Sequence, residues 1–363
     1  MSRPVEHERW MAEACAEAEK GLGNTAPNPP VGCILVRGGR IVGRGYHRRA
    51  GAPHAEIEAI RSAGTRARGA VAYVTLEPCC HHGRTPPCTA ALVEAGVRAV
   101  VAGVRDPNPQ VSGRGLARLR RAGIETTCGV LEERCEELIR GFRCWVRTGM
   151  PWVELKLAAS LDGRIATRTG ASKWISSPPS RRRVQHMRAR ADAVLVGVGT
   201  VLADDPRLTC RIAGARQPLR VVLDRGLRTP PRARVVAGRG HCLIVAAPGA
   251  DARRRRALED AGAEVVEIDC GRAAGWRRLL RELGRREVLE LLIEGGGQVA
   301  ASAVRARVVN EATIFYNPRL IGADGVALFG RLGVSDPGRA VRAKTCRIEY
   351  SGDDLMWVGR FVR

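Results

Sequence analysis

A chain of 363 residues is too long for one ordinary core, so two domains are expected, and an apolar content of 45% suits folded units. The formal charge of +23 invites a nucleic-acid reading, yet only four of the 60 basic residues are Lys, the Arg are spread along the chain, and aromatics for base stacking reach only 4%. No run of about 18 apolar residues occurs and the Glu-rich start lacks an apolar secretory segment, so neither a membrane span nor an export signal is expected, and the twelve Cys are read as reduced thiols of a cytoplasmic protein.

In chain order, residues 6–20 have the apolar spacing of an amphipathic helix. Residues 31–36 and 40–46 read as strands joined by Gly38-Gly39, a favoured hairpin turn. A helical run follows His54-Ala55-Glu56, and residues 70–76 form a short apolar strand that ends before Glu77-Pro78-Cys79. Cys88 starts another helix. A strand at 98–104, a helix at 115–122, a strand at 124–128 and one long helical run over 131–146 complete the first half. Short strands alternating with helices imply an α/β layer sandwich. After the turn-like Arg147-Thr148-Gly149-Met150-Pro151, a strand at 152–158 opens a second α/β series. Its further strands are expected at 193–198, 219–223, 242–247, 264–268 and 288–293, and its helices at 179–191, 251–261, 276–283 and 298–305. Two strands, 345–350 and 355–362, close the chain. The domains are expected to be residues 1–147 and 148–363.

The densest chemistry lies in the first half. His54, Cys79 and Cys88 offer one imidazole and two thiols, and Glu56 offers a carboxylate. Three protein ligands leave the fourth tetrahedral position of a Zn²⁺ open, the arrangement of catalytic zinc, and two thiolates with a neutral His cancel its charge. A His/Cys/Cys zinc with a non-ligand Glu is the donor set of hydrolytic base deaminases. The start of a helix at Cys88 favours a thiolate there. The plainer alternatives are chance proximity in a Cys-rich chain, or a structural knuckle that also uses Cys80 or His81.

In the second half, the strand before Glu294-Gly295-Gly296-Gly297 and the helix after it form a strand, Gly-rich turn, helix unit. Such a unit lets backbone N–H groups approach a phosphate. It is neither the dinucleotide Gly-x-Gly-x-x-Gly fingerprint nor a P-loop, and a purely structural turn is the alternative. Val196-Gly197-Val198-Gly199-Thr200, with Asp204-Asp205-Pro206, repeats the theme of strand, flexible turn and polar groups. Two such loops favour a nucleotide cofactor. Lys156 stands out as a charge within an apolar strand, for which an ion-paired lysine is the bland account.

These features closely resemble the bifunctional pyrimidine deaminase/reductase family of riboflavin biosynthesis over essentially the whole chain. In the first half the resemblance rests on Pro27-Asn28-Pro29-Pro30-Val31-Gly32, Gly51-Ala52-Pro53-His54-Ala55-Glu56, the stretch from Thr75-Leu76-Glu77-Pro78-Cys79 through Gly83-Arg84-Thr85-Pro86-Pro87-Cys88, and Asp106-Pro107-Asn108-Pro109. In the second half it rests on Lys156-Leu157-Ala158-Ala159-Ser160-Leu161-Asp162-Gly163-Arg164, Trp174-Ile175-Ser176-Ser177, Gly199-Thr200-Val201-Leu202-Ala203-Asp204-Asp205-Pro206 and Glu294-Gly295-Gly296. Zinc deaminases generally carry Pro-Cys-x-x-Cys; the longer insert with Gly-Arg-Thr-Pro-Pro distinguishes this family.

The resemblance implies a cytidine-deaminase-like three-layer α/β/α domain followed by a dihydrofolate-reductase-like α/β domain. It implies one Zn²⁺ per chain on His54, Cys79 and Cys88, with Glu56 as the proton shuttle, and NADPH in the second domain. The first reaction would deaminate 2,5-diamino-6-ribosylamino-4(3H)-pyrimidinone 5′-phosphate. The second would reduce its ribosyl chain to ribityl. Asn28 and His47 are then expected at the pyrimidine or ribose, and Arg84, Asp106 and Asn108 near the ribose phosphate, with simple turn geometry as the alternative for Asn28 and Asn108. His81 and His82 would shape the loop. Ala158, Trp174, Thr200, Asp204, Arg225, Gly295, Gly296, Gly297, Gln298, Val299 and Ala300 are expected to contact NADPH, Arg225 at its 2′-phosphate. Ser172, Arg188, Leu208, Arg211 and Glu294 would meet the reductase substrate. Arg188 and Arg211 would take its phosphate, and Asp204 or Glu294 would assist proton delivery. The partners expected are a small phosphorylated pyrimidine and, by resemblance, further copies of the chain, with no nucleic acid and no membrane. The rival readings are a tRNA-type base deaminase with a basic second domain, and a non-enzymatic zinc-stabilised sensor.

Overall fold

The computed structural model describes residues 3–80, 87–238 and 240–362. The chain divides into two compact units, Met1–Gly149 and Met150–Arg363. The division falls two residues beyond the one expected, because the last helix of the first unit runs to Thr148 and stops at Gly149, whose φ of 69° is left-handed. Among the described residues, no helix is long and apolar enough to cross a membrane.

The first unit runs α1 (Arg3–Glu19), β1 (Gly32–Arg37), β2 (Arg40–Tyr46), α2 (Ala55–Ala63), β3 (Val71–Leu76), α3 (Cys88–Glu94), β4 (Ala99–Val104), α4 (Arg114–Arg121), β5 (Glu125–Cys128), α5 (Glu132–Leu138) and α6 (Arg140–Thr148). Its sheet has the order β2-β1-β3-β4-β5, antiparallel at β2-β1-β3 and parallel from β3 to β5. The β1–β2 turn uses Gly38 and Gly39 at φ 58° and 68°, the double left-handed turn that matches strand twist. Alternation along the strands builds two cores. Cys33, Leu35, Ala72 and Val74 pack with α2, α3 and α4, while Ile34, Val36 and Tyr73 pack with α1 and α5. This is a three-layer α/β/α sandwich.

Two glycines of β2 place α2. A Cβ on Gly43 would lie 2.3 Å from the Ala59 carbonyl oxygen, and one on Gly45 would lie 2.3 Å from that of Ala55. Helix backbone therefore rests directly on strand backbone, which only Gly allows. The helical run expected over 131–146 is two helices rather than one. Ile139, at φ −103° and ψ 15°, leaves the helical region and is anchored in the α1 core. Apolar periodicity does not register a single non-helical residue.

The second unit runs β6 (Trp152–Ser160), β7 (Arg164–Ala166), α7 (Pro178–Arg190), β8 (Ala193–Gly197), α8 (Val198–Asp204), β9 (Leu219–Leu223), α9 (Arg234–Ala237), β10 (Cys242–Ala246), α10 (Ala252–Asp260), β11 (Ala263–Glu267), α11 (Ala273–Arg285), β12 (Glu290–Ile293), α12 (Gly297–Arg305), β13 (Glu311–Asn317), β14 (Val326–Ala327), β15 (Ala343–Ser351) and β16 (Asp354–Phe361). Nine strands form one sheet in the order β11-β10-β9-β8-β12-β6-β13-β16-β15, and β7 pairs with β14 apart from it. Pairing is parallel as far as β13 and antiparallel for β16 and β15. β13 is an addition to the expected series, although its Thr-Ile-Phe-Tyr run carries the strand signature. The loop expected around Gly197 and Gly199 is also different: β8 passes straight into α8.

One face of the sheet buries Val153, Leu155, Leu157 and Ala159 of β6 together with Trp276, Leu279 and Leu283 of α11. The opposite side of β6 carries Glu154, Lys156 and Ala158, each only half-buried. Lys156 is thus no intruder in a core strand. It stands on the polar side of an alternating one. Because β8, β9, β12 and β6 are parallel, the segments after them gather at one sheet edge, where open α/β sheets bind ligands.

Candidate functional site

In the first unit, the loop before α2, the end of β3 and the start of α3 converge. His54 sits at the N-cap of α2, Cys79 follows β3, and Cys88 opens α3. Their ligand atoms all lie within 4.8 Å of one another. His54 Nδ1 is 3.1 Å from Cys88 Sγ and 3.7 Å from Cys79 Sγ. Tetrahedral zinc with bonds of about 2.0–2.3 Å sets its ligands roughly 3.5 Å apart, so both the spacing and the donor set fit a zinc ion. Cys80 is not in the group, and His81 and His82 lie outside the described residues.

The protein groups are already polarised toward metal binding. The Cys79 thiol is pulled down to about 4, first by its hydrogen bond with Cys88, and further by His54 and the Cys88 N–H at 3.3 Å. Cys88 moves up, because the two sulfurs share one proton. Hydrogen bonding to Cys79 raises His54. Glu56, 4% exposed, is held above the ordinary carboxylate range by burial, with His54 opposing, and its carboxyl hydrogen-bonds to the Cys88 side chain. A buried carboxyl beside the sulfur pair is a group able both to take and to return a proton near neutrality.

The structure brings His47 and Asn28 to the same place. The His47 ring stands edge-on to His54 with centroids 5.4 Å apart. Its Nδ1 lies 3.0 Å from the Pro53 carbonyl oxygen, and its Nε2 lies 3.1 Å from Asn28 Nδ2. A carbonyl can only accept, so Nδ1 carries the proton and Nε2 accepts from the Asn28 amide. Burial lowers the His47 pKa, consistent with that neutral ring. Asp106 and Asn108 are engaged in turns: the Asn108 N–H donates to Asp106 at 2.8 Å and the Gln110 N–H donates to Asn108 at 3.0 Å. Arg84 lies outside the described residues.

Glu77 had no role in the sequence reading. Its buried carboxylate accepts the N–H groups of Asp106, Gly113 and Leu116 at 3.2, 2.8 and 3.1 Å. It therefore clamps the loop after β4 and the start of α4 to the Pro78-Cys79 segment. Gly115 permits the approach, since a Cβ there would lie 2.1 Å from the Pro78 oxygen.

In the second unit, β12 ends in Glu294-Gly295-Gly296 and α12 begins at Gly297. The N–H groups of Gly297, Gln298 and Val299 find no acceptor among the described residues, as expected of a first helical turn. The Ala300 N–H is used on Gly296 and its side chain is fully buried. Gly197 and Gly295 make room for Val299, whose side chain a Cβ would meet at 2.6 and 2.7 Å. Gly199 and Gly296 face open space, a Cβ on Gly296 lying 3.9 Å from Thr200 Oγ1. Free N–H groups at a helix N-terminus, with glycines facing open space beside them, fit the phosphates of a dinucleotide.

Ser172 Oγ donates to Asp204 at 3.4 Å, and Lys173 lies 3.7 Å from the same oxygen. The Trp174 ring is exposed and is covered by Arg181 at 4.6 Å. Ala158 lies along β6, on the Lys156 side. Leu208 is buried in the core with Val198 and Val201 of α8. Arg225 is exposed and lies 3.6 Å from Asp269. Arg211 is exposed, and its guanidinium meets no described residue.

Arg188 and Glu294, both expected at the reductase substrate, meet one another. The Arg188 Nε and Nη2 reach the two Glu294 oxygens at 2.6 and 3.0 Å, and Nη1 donates to the Thr209 carbonyl at 3.0 Å. Burial pushes Glu294 up, but the Arg188 charge and hydrogen bonds, with Lys156, outweigh it and hold Glu294 below its ordinary value. Burial lowers the Lys156 pKa, and its ammonium makes no hydrogen bond or ion pair with the described residues.

Residues 4–104 match the family model of the cytidine and deoxycytidylate deaminase zinc-binding region, and residues 151–356 match that of the RibD C-terminal domain. The riboflavin biosynthesis protein RibD of Escherichia coli (strain K12) is 41% identical over 367 aligned positions, covering 97% of this chain and 98% of that protein. The RibD of Aquifex aeolicus (strain VF5) is 39% identical, with 96% of each chain covered. Among solved structures, Acinetobacter baumannii RibD superposes with a TM-score of 0.90 at 37% identity, covering 99% of this chain and all of that one. A diaminohydroxyphosphoribosylaminopyrimidine deaminase/5-amino-6-(5-phosphoribosylamino)uracil reductase from Thermotoga maritima gives a TM-score of 0.89 at 38% identity, with 99% of each chain covered. The chain belongs to the RibD family, the bifunctional deaminase and reductase of riboflavin biosynthesis, and its cofactors are Zn²⁺ and NADPH.

Proposed function

We propose that the first unit deaminates 2,5-diamino-6-ribosylamino-4(3H)-pyrimidinone 5′-phosphate, and that the second reduces the ribosyl chain of the product to give 5-amino-6-ribitylamino-uracil 5′-phosphate. The observation that carries this is the triangle of His54, Cys79 and Cys88 with the buried Glu56 against it. His54, Cys79 and Cys88 would hold a zinc ion, whose chemistry would be to lower the pKa of water to about 7. Glu56 would take the proton released by the water, pass it to the ring nitrogen, and then carry the hydroxyl proton of the resulting adduct to the departing amine. Water and the cyclic amidine thereby become carbonyl and ammonia. His47 holds the Asn28 amide by its nitrogen, which leaves the amide oxygen to accept from a pyrimidine N–H. Arg84 has the fork geometry that suits the ribose phosphate, whereas the turn bonds of Asp106 and Asn108 leave them to shape its loop.

In the second unit NADPH, when bound, would supply the hydride for C1′ of an opened, imine-like sugar. The α12 N-terminus with Gly296 and Gly199 receives the dinucleotide phosphates, Thr200, Asp204 and Trp174 flank it, and Arg225 meets the 2′-phosphate. Arg211, rather than Arg188, takes the substrate phosphate, because the Arg188 fork is closed on Glu294. Glu294 stays ionised at neutral pH and is a poor acid. Lys156, an ammonium without a fixed partner, is the better source of the proton that accompanies hydride. The partners are small molecules rather than nucleic acid, since aromatics for stacking are scarce at 4%. Purified protein is incubated with the diamino substrate, with and without NADPH. Ammonia should appear in both mixtures and NADPH should be consumed in the second. Absence of ammonia in both would overturn the deaminase assignment.

A further inference from the structure

Asp354 opens β16 at the turn of the β15–β16 hairpin, and its side chain is 0% exposed. One carboxylate oxygen accepts the Ser177 N–H at 2.8 Å, and the other accepts an Asn317 amide N–H at 2.6 Å. No cation lies within 4.0 Å of it among the described residues. A buried carboxylate without a counter-charge is expensive, and persists where its hydrogen bonds hold something in place.

What it holds is the start of α7. Ser177 caps that helix: its hydroxyl accepts the Ser180 N–H at 3.4 Å and donates to the Ser351 carbonyl at 2.8 Å. The Ser180 hydroxyl donates to the same carbonyl at 3.2 Å. Gly352, at φ 64°, lets the hairpin turn lie flat on the helix, for a Cβ there would come within 2.8 Å of Pro179. The segment leading into this cap carries Ser172 and Lys173, which face Asp204, and Trp174, whose ring Arg181 covers. Its other anchor is Arg319, which donates to the Trp174 carbonyl at 3.1 Å from two residues beyond Asn317. Both anchors therefore fix one short, largely exposed segment to the end of β13. The Asp354 charge is also felt by Lys156 on the adjoining strand β6.

We propose that Asp354 is a positioning residue of the reductase, whose buried carboxylate fixes residues 172–177, with Ser172 and Trp174, against the cofactor and substrate. This rests on the reading that those two side chains line the reductase site. The Asn317 oxygen has no hydrogen-bond partner among the described residues, so that amide is free to turn over. Asp354→Asn therefore keeps both hydrogen bonds while deleting the charge, whereas Asp354→Ala deletes the clamp.

The test uses the full chain, with the deaminase of the same molecules as the folding control. Asp354→Ala is expected to raise the KM for NADPH about tenfold, with kcat changed far less and deamination unchanged, the split that a misplaced binding segment produces. Asp354→Asn should restore the KM to within about threefold of the parent. Unchanged KM values in Asp354→Ala overturn the proposal, as does a loss of kcat alone. If Asp354→Ala does not fold, Asn317→Ala decides, since removing the second arm should raise the same KM by a smaller factor. Trp174→Ala separates the two ideas. If it leaves the KM for NADPH untouched, the reading of the segment falls; if it raises that KM and Asp354→Ala does not, only the clamp falls.

Discussion

Arg188 and Arg211 make opposite predictions from one geometry. The Arg188–Glu294 pair is bidentate, with side chains only 12% and 9% exposed. Arg188→Met leaves a buried carboxylate without its fork, a change that typically costs about 3–5 kcal/mol. Lys156 remains within electrostatic reach of Glu294, so the expected loss is at the lower end, about 3 kcal/mol, read as a fall in the urea midpoint. Arg211→Ala, at an exposed guanidinium with no partner among the described residues, should move stability by no more than about 0.5 kcal/mol. It should raise the KM for the phosphorylated substrate roughly 10- to 100-fold, the worth of a charge-assisted hydrogen bond of about 1.5–3 kcal/mol. The pair also sets a pH dependence. Because Glu294 is depressed in the folded state, its stabilisation is complete above the ordinary carboxylate value near about 4.3 and is lost as pH falls through the lower folded value. Parent and Arg188→Met stabilities should therefore converge in acid. Adding Glu294→Gln to Arg188→Met should recover much of the loss. A variant of Arg188 that unfolds at the parental urea concentration but binds substrate weakly would refute the reasoning and return Arg188 to the phosphate.

Glu56→Gln should keep one zinc per chain and lose at least about 10²-fold in deamination, with reduction of separately supplied deaminated substrate intact; full activity in a zinc-replete Gln variant removes Glu56 from the proton path. Stripping the metal with a chelator should stop ammonia release, spare NADPH consumption, and be reversed by zinc, whereas loss of both activities would mean that the metal supports more than the first site. Gly45→Ala drives a Cβ to within 2.3 Å of the Ala55 oxygen and 2.4 Å of the Ala59 nitrogen, both backbone. It should cost about 1–3 kcal/mol and slow deamination by displacing α2. A parental melting temperature would contradict the close packing.

The zinc group was legible because its three donors sit at element boundaries that apolar patterning reveals: His54 before α2, Cys79 after β3, Cys88 at the head of α3. The strand, turn, helix unit at Glu294–Gly297 was legible for the same reason. Elsewhere local pattern misled. Gly197 looked like part of a flexible loop and is instead a packing glycine under Val299. The pairing of Arg188 with Glu294 left no mark in local pattern, because the two lie 106 residues apart. The helical run over 131–146 concealed the break at Ile139, because one residue leaving the helical region does not disturb the spacing of its neighbours.

Residue type and spacing by themselves determined which three side chains form a zinc-type donor set, that a carboxyl stands next to it in the sequence, and that two α/β units follow one another, because donor chemistry and strand–helix periodicity are carried by short stretches of chain. Only the tertiary structure decided how charges are spent: that Arg188 is closed on Glu294, that Glu77 gathers three N–H groups behind Cys79, and that Asp354 reaches Ser177 across 177 residues. Those bonds join distant segments in a buried, low-dielectric setting, where geometry rather than composition selects each polar partner.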